Sequence, residues 1–243
     1  MGAISSLYSY YDQSRRTLGM FRHVGLVSGV RALRVFPKVM PYTMVSRKRL
    51  EGLYRLARDV ESNGIEGDIV ECGTCNGGTA AVLGYAGLTG NTSRHLWLFD
   101  SFEGLPEPLP VDGKKAQSFT GLCLGKVDSV EEVLRQTEVP KERVHIVKGW
   151  FQDTFPTVEI PRIALLHIDA DWYESVKVAL ERFYTHIQPG GYVVFDDYGF
   201  WEGCRKAVDE FLGGMANPPE LKVIDTRAVY LQKPLEQGAA PKN

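Results

Sequence analysis

The chain has 243 residues, 44% of them hydrophobic and 24% charged, as in an ordinary soluble globular protein. This length allows one large α/β domain with a smaller N-terminal addition. The net charge of −2 argues against broad electrostatic attraction to nucleic acid or membranes, and no apolar run reaches the roughly 20 residues of a membrane span. We therefore expect a cytoplasmic protein with no nucleic-acid partner and no stable membrane association.

Basic charge is concentrated near the start of the chain. Residues 1–50 hold nine Lys or Arg against one acidic residue, about +8, whereas the remainder holds 19 against 29, about −10. From Arg15 to Phe36, apolar residues recur at roughly helical spacing. We expect residues 1–45 to form a basic helical extension that packs on the body, covers a site as a lid, or reaches a neighbour in a homo-oligomer. Three glycines in this segment disfavour a membrane-surface helix, which is the alternative.

The segment Pro41–Ser46 predicts an extended stretch that leads into a helix. Ser46 is a suitable N-cap residue, and the apolar face of the helix continues to Val60. We expect the main domain to span residues 46–235, and residues 236–243 to form a flexible tail.

A strand, a glycine-rich turn and a helix come next. Gly67–Gly73 (GDIVECG) is a short buried-strand pattern, and an alanine-rich helix is predicted from about Thr79 to Leu88. This order opens a nucleotide-binding unit, but the spacing lacks the G-x-G-x-x-G motif that holds a pyrophosphate. Glu71 instead places an anion at the strand end, where it suits a cationic amine or sulfonium. The glycines of the turn would let the backbone come close to a ligand.

The second predicted strand, His95–Asp100, ends in an acidic residue that can bind the two hydroxyls of a ribose. The same side chain could instead cap a turn, although together with Glu71 it favours a nucleoside site. The connection 102–128 has no clear periodicity, which is typical of a functional lid or a disordered segment. Ser129 and Glu132 then have the capping-box pattern of a helix start.

Two aromatic residues, Trp150 and Phe151, follow the third predicted strand, Arg143–Gly149. They could flank a flat base or close the core. The later predicted elements are a helix from Tyr173 to His186, a turn at Pro189-Gly190-Gly191, a helix from Glu202 to Leu212 and two short strands around Thr226–Arg227. Seven strands with helices between them, closing in a hairpin, predict a doubly wound α/β sheet.

Two apolar runs, Ile163–Ile168 and Tyr192–Phe195, each end in a pair of acidic residues. These are Asp169 and Asp171 after the first run, and Asp196 and Asp197 after the second. If the runs are neighbouring parallel strands, all four carboxylates lie at one sheet edge, where a cation or bound protons must offset their repulsion. One such residue would more often be a turn cap, but two pairs at matching strand ends favour a metal site.

The four cysteines are too few for a disulfide scaffold in a chain of this length. Cys72 and Cys75 form a C-x-x-C, which could indicate redox chemistry or zinc. They stand in the glycine-rich turn without a second C-x-x-C or a histidine cluster, which favours structural thiols. The histidines show no metal-ligand spacing, and we interpret His167 as structural or close to a substrate.

Five segments, in this order, resemble the macrocin O-methyltransferase family: GDIVECGTCNGGTA, LFDSFEGLPEP, VKGWFQDTFP, LLHIDADWYES and PGGYVVFDDYGFWEGCRKAVDEF. Members of this family are class I, S-adenosylmethionine-dependent and Mg²⁺-dependent sugar O-methyltransferases of natural-product pathways, including antibiotic biosynthesis. The resemblance implies a Rossmann-like class I methyltransferase fold. It extends from about Pro41 to Phe211 and covers residues 1–40 and 102–128 poorly.

The resemblance also implies roles for individual residues. Asp169, Asp196 and Asp197 match the family's metal ligands, and Asp171 matches its general base. The implied S-adenosylmethionine site comprises Glu71, Gly73, Gly77, Gly78, Thr79, Asp100, Ser101, Gly149, Trp150 and Phe151, together with Asp169 and with Tyr42, Met44 and Ser46 from a segment that closes over the cofactor.

These roles imply a mechanism. A vicinal diol of a sugar would chelate Mg²⁺, which lowers the pKa of a bound oxygen, and Asp171 would accept the proton. Catechol-type methyltransferases place a lysine where this chain has Trp172, so an aliphatic diol is favoured over a phenol or another small diol. The acceptor would be a deoxysugar, free as a nucleotide sugar or attached to an aglycone. A non-catalytic cofactor-binding assembly partner is the remaining alternative, which the intact acidic set disfavours.

Overall fold

The computed structural model describes residues 34–88, 90 and 93–235. Within that part, seven strands form one sheet of order β3-β2-β1-β4-β5-β7-β6. The strands are β1 (Asp68–Cys72), β2 (Leu96–Asp100), β3 (Val144–Lys148), β4 (Ile163–Ile168), β5 (Ile187–Phe195), β6 (Lys222–Val223) and β7 (Val229–Gln232). Neighbours among β1 to β5 are parallel, and β7 is antiparallel to both β5 and β6. The predicted doubly wound sheet with a C-terminal antiparallel hairpin is confirmed. The expectations for residues 1–33 and for the tail lie outside the described residues.

Helices cover both faces of the sheet. They are α1 (Arg47–Ser62), α2 (Gly78–Gly87), α3 (Val127–Gln136), α4 (Phe151–Thr154), α5 (Tyr173–Phe183) and α6 (Glu202–Gly213), and residues 34–39 are helical as well. One buried cluster lies under α1, α2 and α3, and another under α5 and α6. Every residue of β4 is buried because this strand is central between the two layers. No helix in the described part is long and apolar enough to cross a membrane.

The predicted amphipathic helix after Ser46 is α1. Leu50, Leu53 and Ala57 on its inner face are fully buried, and burial of each leucine contributes roughly 1.5–3 kcal/mol. Ser46 is its N-cap, with the side chain accepting a hydrogen bond from the Arg49 backbone N–H. This helix end is therefore fixed close to the carboxyl edge of the sheet.

The predicted turn at Pro189-Gly190-Gly191 and the predicted helix cap at Ser129 are both wrong. Pro189-Gly190-Gly191 is part of β5 and not a turn before it: the pairing shifts from Ile163 opposite Ile187 to Leu165 opposite Tyr192, so the intervening residues bulge within the strand. Lys233 pairs with Gly190 and Gly191 there. Ser129 is also not a helix cap, because α3 begins at Val127 after Lys126 without any side-chain cap. Burial of its apolar face (Val130, Val133 and Leu134) stabilises this helix instead.

The connection 102–128 is ordered around a buried aspartate. Asp112 accepts hydrogen bonds from the backbone of Leu109 at 2.8 Å and of Tyr173, the first residue of α5, at 2.7 Å. Short 3₁₀ turns occupy Pro110–Asp112 and Ala116–Phe119. This long connection is therefore tied to the start of α5 and forms one wall of the cavity described next.

Candidate active site

A cavity of about 670 Å³ lies at the carboxyl ends of β1, β2, β4 and β5. The chain order reverses between β1 and β4, which is where doubly wound sheets bind ligands, and the volume suits a small molecule. The predicted site residues that line it are Tyr42, Met44, Gly73, Thr79, Asp100, Ser101, Gly149, Trp150, Phe151, Asp169, Asp171, Asp196 and Asp197. Glu71, Gly77, Gly78 and Ser46 are not among the residues that line it.

Three aspartates converge at the strand ends in the cavity. One carboxylate oxygen from each of Asp169, Asp196 and Asp197 lies within 4.8 Å of the other two. The convergence follows from the parallel pairing, since Asp196 N–H donates to Ile168 O at 3.0 Å in continuation of the ladder. Burial, and then the neighbouring carboxylates, raise the pKa of Asp169 and of Asp197.

The chemistry of this set suits a hard divalent cation. All donors are carboxylate oxygens, which Mg²⁺ prefers. Asp196 Oδ1 is buried and accepts no hydrogen bond among the described residues, its cationic neighbour His167 Nε2 lying 3.7 Å away, so this oxygen is available to a metal ion. A buried acceptor without a partner costs about 1–3 kcal/mol, a cost that a bound ion would remove.

Arg49 is a buried cation beside this cluster that the sequence analysis missed. It is 6% exposed and lines the cavity. Its Nη1 donates to Asp196 Oδ2, and its Nε lies 3.5 Å from Asp225 Oδ2. Asp225 also accepts from Ser46 Oγ at 2.9 Å. Arg49 therefore joins the start of α1, one aspartate of the cluster and the turn before β7.

Glu71 and His167 form a buried pair below the cavity wall. They are register partners on β1 and β4, and both are fully buried. His167 Nδ1 lies 3.0 Å from Glu71 Oε1, and its Nε2 lies 3.7 Å from Asp196 Oδ1. Burial by itself lowers the pKa of His167, but Asp196 and Glu71 outweigh it and raise the pKa to about 9. In this structure Glu71 thus faces an imidazole and not the cavity.

Asp171 is held in a sparsely populated backbone conformation next to the aspartate cluster. Its φ is +54°, which is uncommon outside glycine. Trp201 Nε1 donates to Asp171 Oδ1 at 2.6 Å. Burial raises the pKa of Asp171 to about 6, with the Trp201 hydrogen bond acting in the opposite direction. Two features therefore fix this carboxylate, the strained loop and the indole.

Asp100 pins the glycine-rich turn to the end of β2. Its Oδ2 accepts from the backbone N–H of Thr74 at 2.9 Å and of Cys75 at 2.7 Å, and its Oδ1 accepts from Phe102 N–H at 2.7 Å. The turn-capping role that the sequence left open is thus present. The same side chain also lines the cavity, so a ligand hydroxyl could share it.

The glycines of the turn are required by contacts within the chain. A Cβ on Gly73 would lie 1.9 Å from Asp169 O, and one on Gly78 would lie 2.6 Å from Thr43 Cβ. Gly77 adopts φ +85° and would meet Val130. These glycines let the turn approach β4, the segment 41–46 and α3, whereas the sequence suggested an approach to a ligand.

Trp150 and Phe151 both line the cavity. Phe151 also stacks on Phe155, with ring centres 4.8 Å apart and planes 11° from parallel. Phe155 in turn belongs to the buried cluster under α5. Phe151 therefore packs on the core and also lines the cavity. The two predicted alternatives, closing the core or flanking a flat base, do not exclude each other.

The segment before α1 covers part of the cavity. Tyr42 and Met44 line it, Met44 being 72% exposed, and Tyr42 Oη accepts from Gln136 Nε2 at 3.2 Å. Phe119 and Cys123 of the 102–128 connection line the cavity as well, beside Cys75. All four cysteines are free thiols.

Comparisons with known proteins point to one family. The family profile described as macrocin-O-methyltransferase (TylF) matches residues 9–233. Demethyldecarbamoylnovobiocin O-methyltransferase of Streptomyces niveus is 35% identical over 79% of this chain and 76% of its own length. The 8-demethyl-8-(2,3-dimethoxy-alpha-L-rhamnosyl)-tetracenomycin-C 4'-O-methyltransferase of Streptomyces olivaceus is 32% identical over 81% and 77%. The solved structure of the O-methyltransferase NovP matches with a TM-score of 0.74 at 33% identity, over 79% of this chain and 82% of that one.

Proposed function

Because the chain belongs to the macrocin O-methyltransferase family and is an O-methyltransferase, we propose that it methylates a sugar hydroxyl with S-adenosylmethionine as donor. In this proposal the reaction depends on Mg²⁺, the acceptor presents a vicinal diol of a deoxysugar, and the pathway makes a natural product. One observation carries it: three aspartates converge within 4.8 Å beside a fourth carboxylate in one cavity. The name of the relative that methylates a rhamnosyl-tetracenomycin supports a sugar acceptor.

The methyl donor would occupy the part of the cavity near the glycine-rich turn. S-adenosylmethionine, when bound, supplies a methyl group already activated by its sulfonium. Asp100 and Ser101 would face its ribose, and Trp150 and Phe151 would flank its base. The donor's amino-acid end would lie at the turn, which Glu71, Gly77 and Gly78 support from behind.

The acceptor would lie at the aspartate cluster. Asp169, Asp196 and Asp197 would hold Mg²⁺, which when bound supplies the positive charge that lowers the pKa of a nearby hydroxyl. Since Asp171 Oδ1 is occupied by the Trp201 indole, its Oδ2 is the oxygen left to accept the hydroxyl proton. The cavity walls would orient the hydroxyl towards the methyl group, which supplies much of the remaining acceleration.

Calorimetry on the full chain tests the donor and the ion together. S-adenosylmethionine should bind, and Mg²⁺ should bind to the wild type but far more weakly once Asp196 is changed to Asn. A methyl-transfer screen of nucleotide sugars and glycosylated metabolites, with the methylated position assigned by NMR, then identifies the acceptor. Absence of donor binding with and without Mg²⁺ would contradict the proposal.

Asp171→Asn tests the base. Loss of a general base typically costs about 10²–10⁴-fold in rate, and the variant should keep donor affinity within about twofold. Turnover near the wild-type level would show that Asp171 is not the base. The expected homo-oligomer stays a prediction, which gel filtration with light scattering on the full chain tests.

A further inference from the structure

Two cations hold one aromatic ring at the rim of the candidate active site. Lys115 Nζ lies 3.7 Å and Arg227 Cζ lies 3.8 Å from the centre of the Phe200 ring. Both cations therefore contact the same ring. Phe200 and Arg227 line the cavity, and both cationic side chains are exposed. Two positive charges therefore lie beside one aromatic ring of the cavity rim.

Neither Lys115 nor Arg227 forms an ion pair with an acidic residue in the described part of the chain. Arg49 in the same cavity differs, since Asp196 and Asp225 contact it. A ring face attracts a cation by only about 0.5–1 kcal/mol at an exposed site, so both rim cations keep their capacity to bind an anion.

Trp201 connects this cationic rim to the proposed reaction centre. Its indole N–H is bonded to Asp171, and Lys115 Nζ lies 4.8 Å from its ring centre. An acceptor whose hydroxyl lies at Asp171 and whose remainder extends over Trp201 reaches Lys115 next. The floor of the cavity is acidic, so an anionic group would be repelled there and attracted at the rim. Charge would therefore orient an anionic acceptor along this axis.

We propose that Lys115 and Arg227 form a subsite for an anionic group of the acceptor, and that the acceptor is a phosphate-bearing sugar. The inference rests on the proposed function, because it takes the reacting hydroxyl to lie at Asp171. Phosphate offers several oxygens to lysine and arginine donors in charge-assisted hydrogen bonds. Two cations beside one ring offer two positive charges, which a diphosphate satisfies better than a single carboxylate. A neutral glycoside would leave both without a partner.

Calorimetry on the full chain with three probes tests this subsite. The probes are UDP-glucose, glucose 1-phosphate and neutral methyl glucoside, titrated without Mg²⁺ so that no ion binds the phosphates. At least one phosphate probe should bind about tenfold or more tightly than the glucoside. Lys115→Gln and Arg227→Gln should each weaken that binding about tenfold, and added salt should weaken it as well.

Two control variants separate anion binding from a purely structural role of the cations. Lys114→Gln removes the neighbouring exposed lysine and should leave phosphate affinity within about twofold. Lys115→Arg keeps the charge and should restore most of the affinity lost in Lys115→Gln. If the cations only hold Phe200 in place, Lys115→Gln lowers the melting temperature without changing phosphate affinity, which would overturn the proposal.

The remaining outcomes identify the source of the phosphate or reject the subsite. Tighter binding of UDP-glucose than of glucose 1-phosphate supports a nucleotide sugar, and similar affinities support a sugar phosphate. Equal binding of the glucoside and both phosphate probes would overturn the proposal. S-adenosylmethionine binding is measured on the same variants and should be unchanged. If the wild type does not bind S-adenosylmethionine, the proposed function is wrong. Phosphate binding is measured without S-adenosylmethionine and tests the subsite alone.

Discussion

Trp201 donates its indole N–H to Asp171 Oδ1 at 2.6 Å, and this bond orients the carboxylate. The indole is itself held by aromatic edges, with ring centres 4.9 Å from Trp172 and 4.9 Å from Phe119. Phe119 belongs to the 102–128 connection, so this loop supports the proposed base through Trp201. Loop order and carboxylate orientation are thereby coupled.

Changing Trp201 to Phe should therefore impair methyl transfer without impairing donor binding. The phenyl ring keeps most of the packing but removes the N–H, which frees Asp171 to rotate. We expect kcat to fall about tenfold, in line with one lost hydrogen bond to a charged group, while the donor Kd stays within about twofold. Trp97→Phe is the matched control, because it removes an indole bond to Asp68 on the opposite edge of the sheet. Equal kcat values in Trp201→Phe and the wild type would refute this positioning role.

Asp169→Asn should stabilise the metal-free protein and abolish its response to Mg²⁺. Burial, and then the neighbouring carboxylates, raise the pKa of Asp169, so a neutral amide there avoids a buried charge and relieves repulsion. In the wild type, bound Mg²⁺ should raise the melting temperature by mass action. Thermal scans with EDTA and with Mg²⁺ measure both effects, and exposed Asp209→Asn serves as the control. A Mg²⁺-dependent rise that persists in Asp169→Asn would exclude this residue as a ligand.

Arg49→Met should destabilise the fold strongly. Asp196 and Asp225 would lose their buried cationic neighbour, and breaking a buried ion pair on one side costs about 3–5 kcal/mol. Arg49→Lys keeps the charge but lacks the planar guanidinium that reaches both partners. Its unfolding free energy should therefore lie between those of the wild type and of Arg49→Met. Urea unfolding compares the three proteins. Unfolding free energies that agree within error would mean that the pairing contributes nothing to stability.

Much of the sheet could be predicted from the sequence, because parallel strands that are buried on both faces have continuous apolar sequences. Ile163–Ile168 is β4 at the predicted bounds, and the acidic pairs after β4 and β5 do converge in one cavity. The order of motifs was specific enough to identify the family. Where local pattern and tertiary packing agreed, the prediction held.

The sequence failed where contacts between distant segments decide. Arg49 precedes the buried Leu53 by four residues and so lies on the apolar face of α1. This spacing could have predicted a buried cation. No local sequence pattern predicts that Glu71 and His167 are register partners on β1 and β4. The bulge at Gly190 in β5 likewise depends on its pairing with Lys233. Each of these features depends on contacts between segments that are distant in the sequence.

Gly78→Ala should loosen the segment that covers the cavity. A Cβ there would lie 2.6 Å from Thr43 Cβ and 2.8 Å from Tyr42 O, and overpacking of this kind costs about 1–3 kcal/mol. Because Tyr42 lines the cavity, the donor Kd should rise together with the loss of stability. Gly213→Ala is the matched control, since its Cβ meets nothing within 4 Å. Unchanged donor affinity in Gly78→Ala would separate this contact from the cofactor site.

His167 should make the metal-free protein less stable as the pH rises above neutrality. Although burial lowers its pKa, Asp196 and Glu71 raise it to about 9, above the ordinary value of 6.5. The folded state thus holds a proton that the unfolded chain has released, so this stabilisation is complete below pH 6.5 and is lost as the pH passes about 9. Within that window its slope approaches about −1.4 kcal/mol per pH unit. Urea unfolding in EDTA at several pH values, compared with His167→Gln, isolates the contribution. If the difference in unfolding free energy between the two proteins does not change with pH, His167 is neutral in the folded protein.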